Sequence, residues 1–191
     1  MSFSDVRHAL TSESATVFQV RQGAAESKLY AILDACDAPA VPAKVDALGE
    51  SRGISLYKGT AEERYADIAP YLVAVDDDVL DWILTTLWGD PWGIFVQSTA
   101  SLDELRSHFR KFLLVSGPNG EEWYFRWYDP RVLEKYLPTC TDDELRAFFG
   151  PVTSYGVSDP SAGVRWMRPA TPQEAWHQQH PPRISFRKPN A

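Results

Sequence analysis

Four short apolar runs, each of strand length and each followed by a segment with helix signals, set the frame for what this chain can fold into. They lie at residues 29–34, 54–57, 71–75 and 94–98. The first, LYAILD, is an unbroken apolar run closed by an acid, as fits a strand buried on both faces. Pro39 and Pro42 then break the chain before a short helix over about residues 43–48, and Lys58-Gly59 turns the second run. Thr60-Ala61-Glu62-Glu63 has the spacing of a capping box, in which a hydroxyl and a carboxylate satisfy free backbone N–H groups reciprocally. That predicts a helix over 61–67. Asp76-Asp77-Asp78 opens another helix, with Val79, Leu80, Ile83, Leu84 and Leu87 on one stripe and carboxylates placed to complement its N-terminal dipole. The alternation predicts an α/β fold, a mixed β-sheet covered by helices.

After residue 98 the pattern changes. GDPWG at residues 89–93 is a turn into the fourth run, and Ser101-Leu102-Asp103-Glu104 is a second capping box, ahead of Leu105, Phe109, Phe112 and Leu113 at near-helical spacing. Gly117-Pro118-Asn119-Gly120 then separates two extended stretches, which predicts an antiparallel hairpin because Asn-Gly readily takes positive φ. The second arm of that hairpin runs into EEWYFRWYDPR, residues 121–131. In an extended chain Trp123, Phe125 and Trp127 share one face, and Tyr124, Arg126 and Tyr128 share the other. The first face reads as core, so Trp123→Ala is expected to cost the cavity penalty of roughly 3–5 kcal/mol. On the second, Arg126 is expected to pair with a carboxylate such as Asp129, while Tyr124 and Tyr128 become contact residues if that face is open, since Trp, Tyr and Arg dominate protein interfaces. Asp129-Pro130 suits a helix start, and two following helices are expected, the second opened by Thr141-Asp142-Asp143-Glu144 and ended at Gly150-Pro151.

Charge and composition narrow the function classes. The chain carries −7 overall, yet residues 165–191 hold five basic side chains and one acid, so this part is +4 and residues 1–164 are −11. A body this acidic lacks the clustered Lys and Arg that nucleic-acid binding needs. There is no run of 18 apolar residues and no basic-then-apolar start, so neither membrane insertion nor a secretory signal is expected, and the reading is cytoplasmic. Cys36 and Cys140 read as reduced thiols.

Each catalytic motif has a plainer competitor. His177-x-x-His180 is one imidazole pair without a third ligand. Neither cysteine is marked as activated by a local partner, although His108 could serve as base. Asp76-Asp77-Asp78 could bind a divalent cation, but starting a helix explains the same residues. P-loop, dinucleotide and nucleophile-elbow patterns do not occur. No catalytic residue, metal or cofactor is expected.

Several stretches together resemble the adaptor-chaperone family of bacterial type VI secretion, long classed as a domain of unknown function. They are LYAILD at 29–34, LYKG at 56–59, APYLV at 69–73, WGIF at 92–95, the segment 98–105, FRWYDPRVL at 125–133 and FGP at 149–151, in the family's order. Trp127 stands where phenylalanine is the more usual residue. The resemblance implies a non-enzymatic adaptor that binds a toxic effector and loads it onto the trimeric spike protein VgrG, without small-molecule substrate. It spans an expected core at residues 28–151, after a leader at 1–27 and before a basic, proline-rich C-terminal extension at 152–191. Contact candidates are Tyr124, Arg126, Tyr128 and Arg131 in the core, with Arg165, Trp166, Arg168 and Trp176 in the extension. Arg165, Arg168 and Arg183 are expected to meet acidic partner surface. The competing readings are an immunity protein that neutralises a toxin and an enzyme with an unrecognised site.

Overall fold

The computed structural model describes residues 6–7, 27–159 and 163–169, and the backbone of 185–186. In chain order its first half comprises β1 (Lys28–Asp34), α1 (Val41–Leu48), β2 (Gly53–Ser55), α2 (Thr60–Arg64), β3 (Pro70–Ala74), α3 (Asp77–Trp82) and β4 (Gly93–Ser98). The second half comprises α4 (Leu102–Phe109), β5 (Leu114–Ser116), β6 (Glu122–Tyr124), α5 (Pro130–Tyr136), α6 (Asp142–Phe149), β7 (Val152–Asp159), β8 (Gly163–Met167) and β9 (Ser185–Phe186). One sheet has the order β2-β3-β1-β4-β7-β8, and a smaller one has the order β6-β5-β9.

The expected helix-covered sheet is present, and every pairing described in it is antiparallel rather than mixed. The topology explains the difference. Strands β1 and β2 run the same way with β3 between them, and β3 and β4 run the same way with β1 between them. Each of α1 and α3 therefore crosses over one intervening strand, giving two interlocked split βαβ units of ferredoxin-like order. Alternating strands and helices usually signal parallel neighbours, and here α1 and α3 each skip a position.

Cross-strand partners share a face. Ala31, Val73, Phe95 and Gly53 line the one on which α1 lies, with Val45 so close that a Cβ on Gly53 would stand 2.9 Å from its Cγ1. Tyr30, Val96 and Tyr155 share the opposite face, where Tyr155 meets an aromatic layer of Phe109, Trp127, Phe148 and Phe149 at centroid distances of 4.9–6.5 Å. Gly93 permits the sheet to close beside β1. Its φ is +139°, and a Cβ there would lie 1.9 Å from the Ile32 carbonyl oxygen.

The boundary expected at residue 151 is corrected. Residues 152–159 and 163–167, assigned to an extension, form β7 and β8 of the main sheet. Their short polar residues hid the strand: Ser154 and Gln97 are both buried, and the Ser154 hydroxyl donates to Gln97 Oε1 at 2.6 Å. Gly156 makes room for its β8 neighbours, since a Cβ would stand 2.8 Å from Trp166 Cζ3. In the N-terminal stretch read as a leader, Val6 is buried in the core and Arg7 pairs with Asp77 at 3.0 Å.

Helix starts follow the capping signals with one exception. Ser101 with Glu104 and Thr141 with Glu144 form complete capping boxes, and Asp76 accepts from the Val79 N–H at 3.0 Å. Thr60 does not cap: α2 begins on it, Gly59 occupies the cap, and no side-chain cap bond is made. The hairpin forms as expected, with positive φ on Gly120 (+87°) and not on Asn119.

Beyond the hairpin the extended reading fails. Strand β6 ends at Tyr124, and the Asp129 N–H donates to the Arg126 carbonyl to close a turn. Alternation is lost there, so Trp127 and Tyr128 are both buried although adjacent. Trp123, expected in the core, is instead 50% exposed on the hairpin. Trp127→Ala is therefore expected to destabilise by about 3–5 kcal/mol in urea unfolding, and Trp123→Ala by less than about 1 kcal/mol.

Candidate interaction site

The site is built where β1 ends. Asp34 closes the central strand with its side chain fully buried, and the Cys36 N–H donates to its Oδ1 at 3.1 Å. A carboxylate there demands a cation, because an unpaired buried charge is costly. Arg126 supplies it, donating Nε and Nη2 to Asp34 Oδ2 at 3.1 and 2.5 Å. The same Nη2 reaches Asp37 at 2.9 Å, and Arg131 reaches Asp37 at 2.9 Å from the other side. Arg131 also donates to Asp129 from Nε at 2.9 and 3.1 Å and from Nη2 at 2.5 Å. The result is a chain of alternating charge, Asp34–Arg126–Asp37–Arg131–Asp129. Arg126 thus pairs with Asp34 and Asp37 rather than with Asp129, which caps α5 by accepting the Arg131 N–H at 2.9 Å.

Burial pushes the Asp34 carboxyl above its ordinary range even though Arg126 hydrogen-bonds and attracts it. Burial also opposes ionisation of Asp129, but the Arg131 hydrogen bonds outweigh it and the Asp129 pKa lies below its ordinary value. Tyr57 and Tyr128 are both buried, and burial raises both phenols. The Tyr57 ring lies 5.3 Å from that of Tyr124, so the ionic chain continues into the hairpin surface.

The contact candidates divide accordingly. Tyr124 is 54% exposed, whereas Tyr128 is buried and offers a partner no surface. Arg126 and Arg131 are brought together by Asp37, within the ion-pair chain. Arg165 lies elsewhere, on β8, paired with Glu134 and 3.5 Å from Asp159. It shares with Arg131 a cleft of about 670 Å³, walled also by Trp88, Pro91, Glu134 and Asp159. Trp166 is half-buried and Arg168 exposed, while Trp176, Arg183, His177 and His180 lie outside the described residues. The sequence reading missed Asp37 and Tyr57. The acid ending the first apolar run was the visible signal, because a carboxylate closing a fully buried strand needs a cation.

The other chemical candidates are otherwise engaged. His108 sits 2.8 Å from the Phe148 carbonyl through Nε2, with its pKa lowered by burial, and Cys140 donates to the Tyr136 carbonyl at 3.5 Å while burial raises its thiol to about 11. Of the acidic triplet, Asp76 caps α3 and pairs with Arg52, and Asp77 meets Arg7. Among the described residues no group of three or more His, Cys, Asp or Glu side chains could hold a metal ion. No helix among them is long and apolar enough to cross a membrane.

A family model described as a domain of unknown function (DUF4123) matches residues 29–147, more than half of the chain. The chain belongs to the DUF4123 family. No curated protein and no solved structure shows a significant match. The DUF4123 match starts in β1 and ends in α6, so it takes in the whole ionic chain and the hairpin, while β7 and β8 lie beyond it.

Arg126→Ala strands a buried carboxylate and is expected to cost about 3–5 kcal/mol in urea unfolding, whereas Arg131→Ala, whose side chain is more than half exposed, is expected to cost far less. The sign for acid follows from Asp129. Its depressed pKa gives stability that is present above the ordinary carboxylate value and lost as pH falls through the lowered one. Arg131→Ala should therefore flatten the acid limb of a stability–pH profile.

Proposed function

We propose that this DUF4123 protein is a non-enzymatic cytoplasmic adaptor that captures a type VI secretion effector and loads it onto the VgrG spike. The observation that carries this reading is the β5–β6 hairpin. All three residues of β6 are exposed, and Trp123 and Tyr124 hold two of the largest exposed apolar surfaces among the described residues. Large aromatic rings left in solvent are the residue types that anchor protein interfaces, since they bury much area at little rotamer entropy. Family membership supports the same reading, because the segments that resemble the secretion adaptors include this hairpin's continuation at residues 125–133.

The mechanism follows from rigidity. Tyr124 rests on Tyr57, and the ionic chain fixes the segment that follows, so the hairpin is presented in one geometry and little ordering remains for binding. The effector docks on Trp123 and Tyr124. The exposed Arg168 and the basic arm beyond it contribute attraction to acidic partner surface and set specificity for the effector.

Co-purification from the native cell identifies the effector, and Trp123→Ala with Tyr124→Ala tests the surface. The double variant should unfold at a denaturant midpoint close to wild type, yet recover at least about tenfold less effector, the loss of one to two interface anchors. Undiminished capture would remove the hairpin from the model. If the protein protects a cell poisoned by the effector and has no effect on secretion, it is an immunity protein and the adaptor reading fails.

A further inference from the structure

Strand β5 lies between two unequal neighbours. On one side β6 is joined to it by the tight turn at Gly117–Gly120, with the Phe125 N–H donating to the Leu113 carbonyl at 2.8 Å and the Gly117 N–H to the Glu121 carbonyl at 2.8 Å. On the other side β9, only Ser185–Phe186, pairs with Val115 and Ser116. Antiparallel backbone groups alternate sides, so Leu113, Val115 and Gly117 address β6, and the N–H and C=O of Leu114 and Ser116 address β9.

We propose that this second edge of β5 is a strand-docking site, filled in the resting protein by the chain's own β9 and taken by an extended segment of a partner that displaces it. The incumbent is weakly held. Two residues of pairing supply one or two ladder bonds, each with a net value of about 0.5–1.5 kcal/mol. Fifteen residues, 170–184, separate β9 from residue 169, whereas three lie inside the Gly117–Glu121 pair that closes the turn to β6, and the longer separation costs roughly 1–1.5 kcal/mol more in closure entropy. A partner strand that also pairs with Leu114 gains bonds that β9 does not make. Of the described strands, β9 is the shortest, and an intruder replaces it at least cost.

The register states the ligand's chemistry. Trp123, Val115 and position 186 stand in one cross-strand row, and Glu122, Ser116 and position 185 in the next. The incoming segment is extended, with an aromatic or aliphatic residue opposite Val115 and a small polar residue opposite Ser116. The resident sequence Arg183-Ile184-Ser185-Phe186-Arg187-Lys188 has that alternation, flanked by basic residues. Backbone pairing supplies affinity in such strand addition, and the alternate side chains supply selection. The inference holds whether or not the partner belongs to a secretion system.

The test uses the full chain and a labelled peptide of its own residues 181–190, PPRISFRKPN. Ser185→Pro removes the N–H that faces Ser116, and Phe186→Pro removes one that faces away. In Ser185→Pro the Ser116 amide should exchange at least about tenfold faster than in wild type while β1 amides keep their protection, and in Phe186→Pro it should stay within about twofold. The peptide should bind Ser185→Pro at least about fivefold tighter than wild type, because the tethered competitor, present at an effective concentration of order mM, is gone. Bound peptide should restore Ser116 protection. The proposal is overturned if Ser116 exchange ignores Ser185→Pro, if Phe186→Pro exposes Ser116 as much, or if the peptide binds both proteins alike or neither. A wild-type dimer that Ser185→Pro dissociates would also overturn it, since β9 would then belong to a second copy.

Discussion

A carboxylate at the end of the central strand, sealed from water, is the constraint from which the arrangement of the rest follows. Asp34 cannot stand there alone, and Arg126 is the cation that reaches it, from a segment 92 residues further along the chain. That bond fixes where the chain goes after the hairpin. With Arg126 held, the turn at 126–129 places Trp127 in the aromatic layer and Asp129 at the start of α5. One ion pair therefore ties the split βαβ sheet to the helical half. Buried ion pairs add little net stability compared with apolar replacements, but breaking one from a single side is costly, so its value here lies in specifying one geometry.

The two halves of the chain were legible to different degrees. Strands β1, β3 and β4 stood out because strands buried on both faces read as unbroken apolar runs, and α4 and α6 stood out because their capping boxes are local chemistry. Strands β7 and β8 did not. Their buried positions include Ser154 and Gly156, tolerated only because Gln97 satisfies the hydroxyl and Trp166 occupies the space over the glycine. Both compensations are tertiary, and no local pattern carries them. The error at Trp123 has the same origin, since alternation in sequence becomes alternation in space only while the backbone stays extended.

At the candidate site the arginines were visible as residue types and their partners were not. Asp37 and Tyr57 come from loops after β1 and β2, and nothing in their spacing links them to residues 124–131. What emerges is a graded structure: a buried carboxylate, a half-buried arginine, a second ring of charge, and then two aromatic side chains in solvent. Rigid support beneath exposed anchors lowers the cost of ordering them on binding, which is the physical content of the adaptor reading.

The central claim is that Asp34 and Arg126 act as one unit on which the fold and the hairpin base depend. A double-mutant cycle of Asp34→Ala and Arg126→Ala, followed by urea unfolding, measures that dependence directly. The account predicts strong non-additivity, with a coupling of at least about 1.5 kcal/mol and a double variant more stable than Arg126→Ala alone. Additivity to within about 0.3 kcal/mol would mean that the two residues contribute independently, and would contradict it.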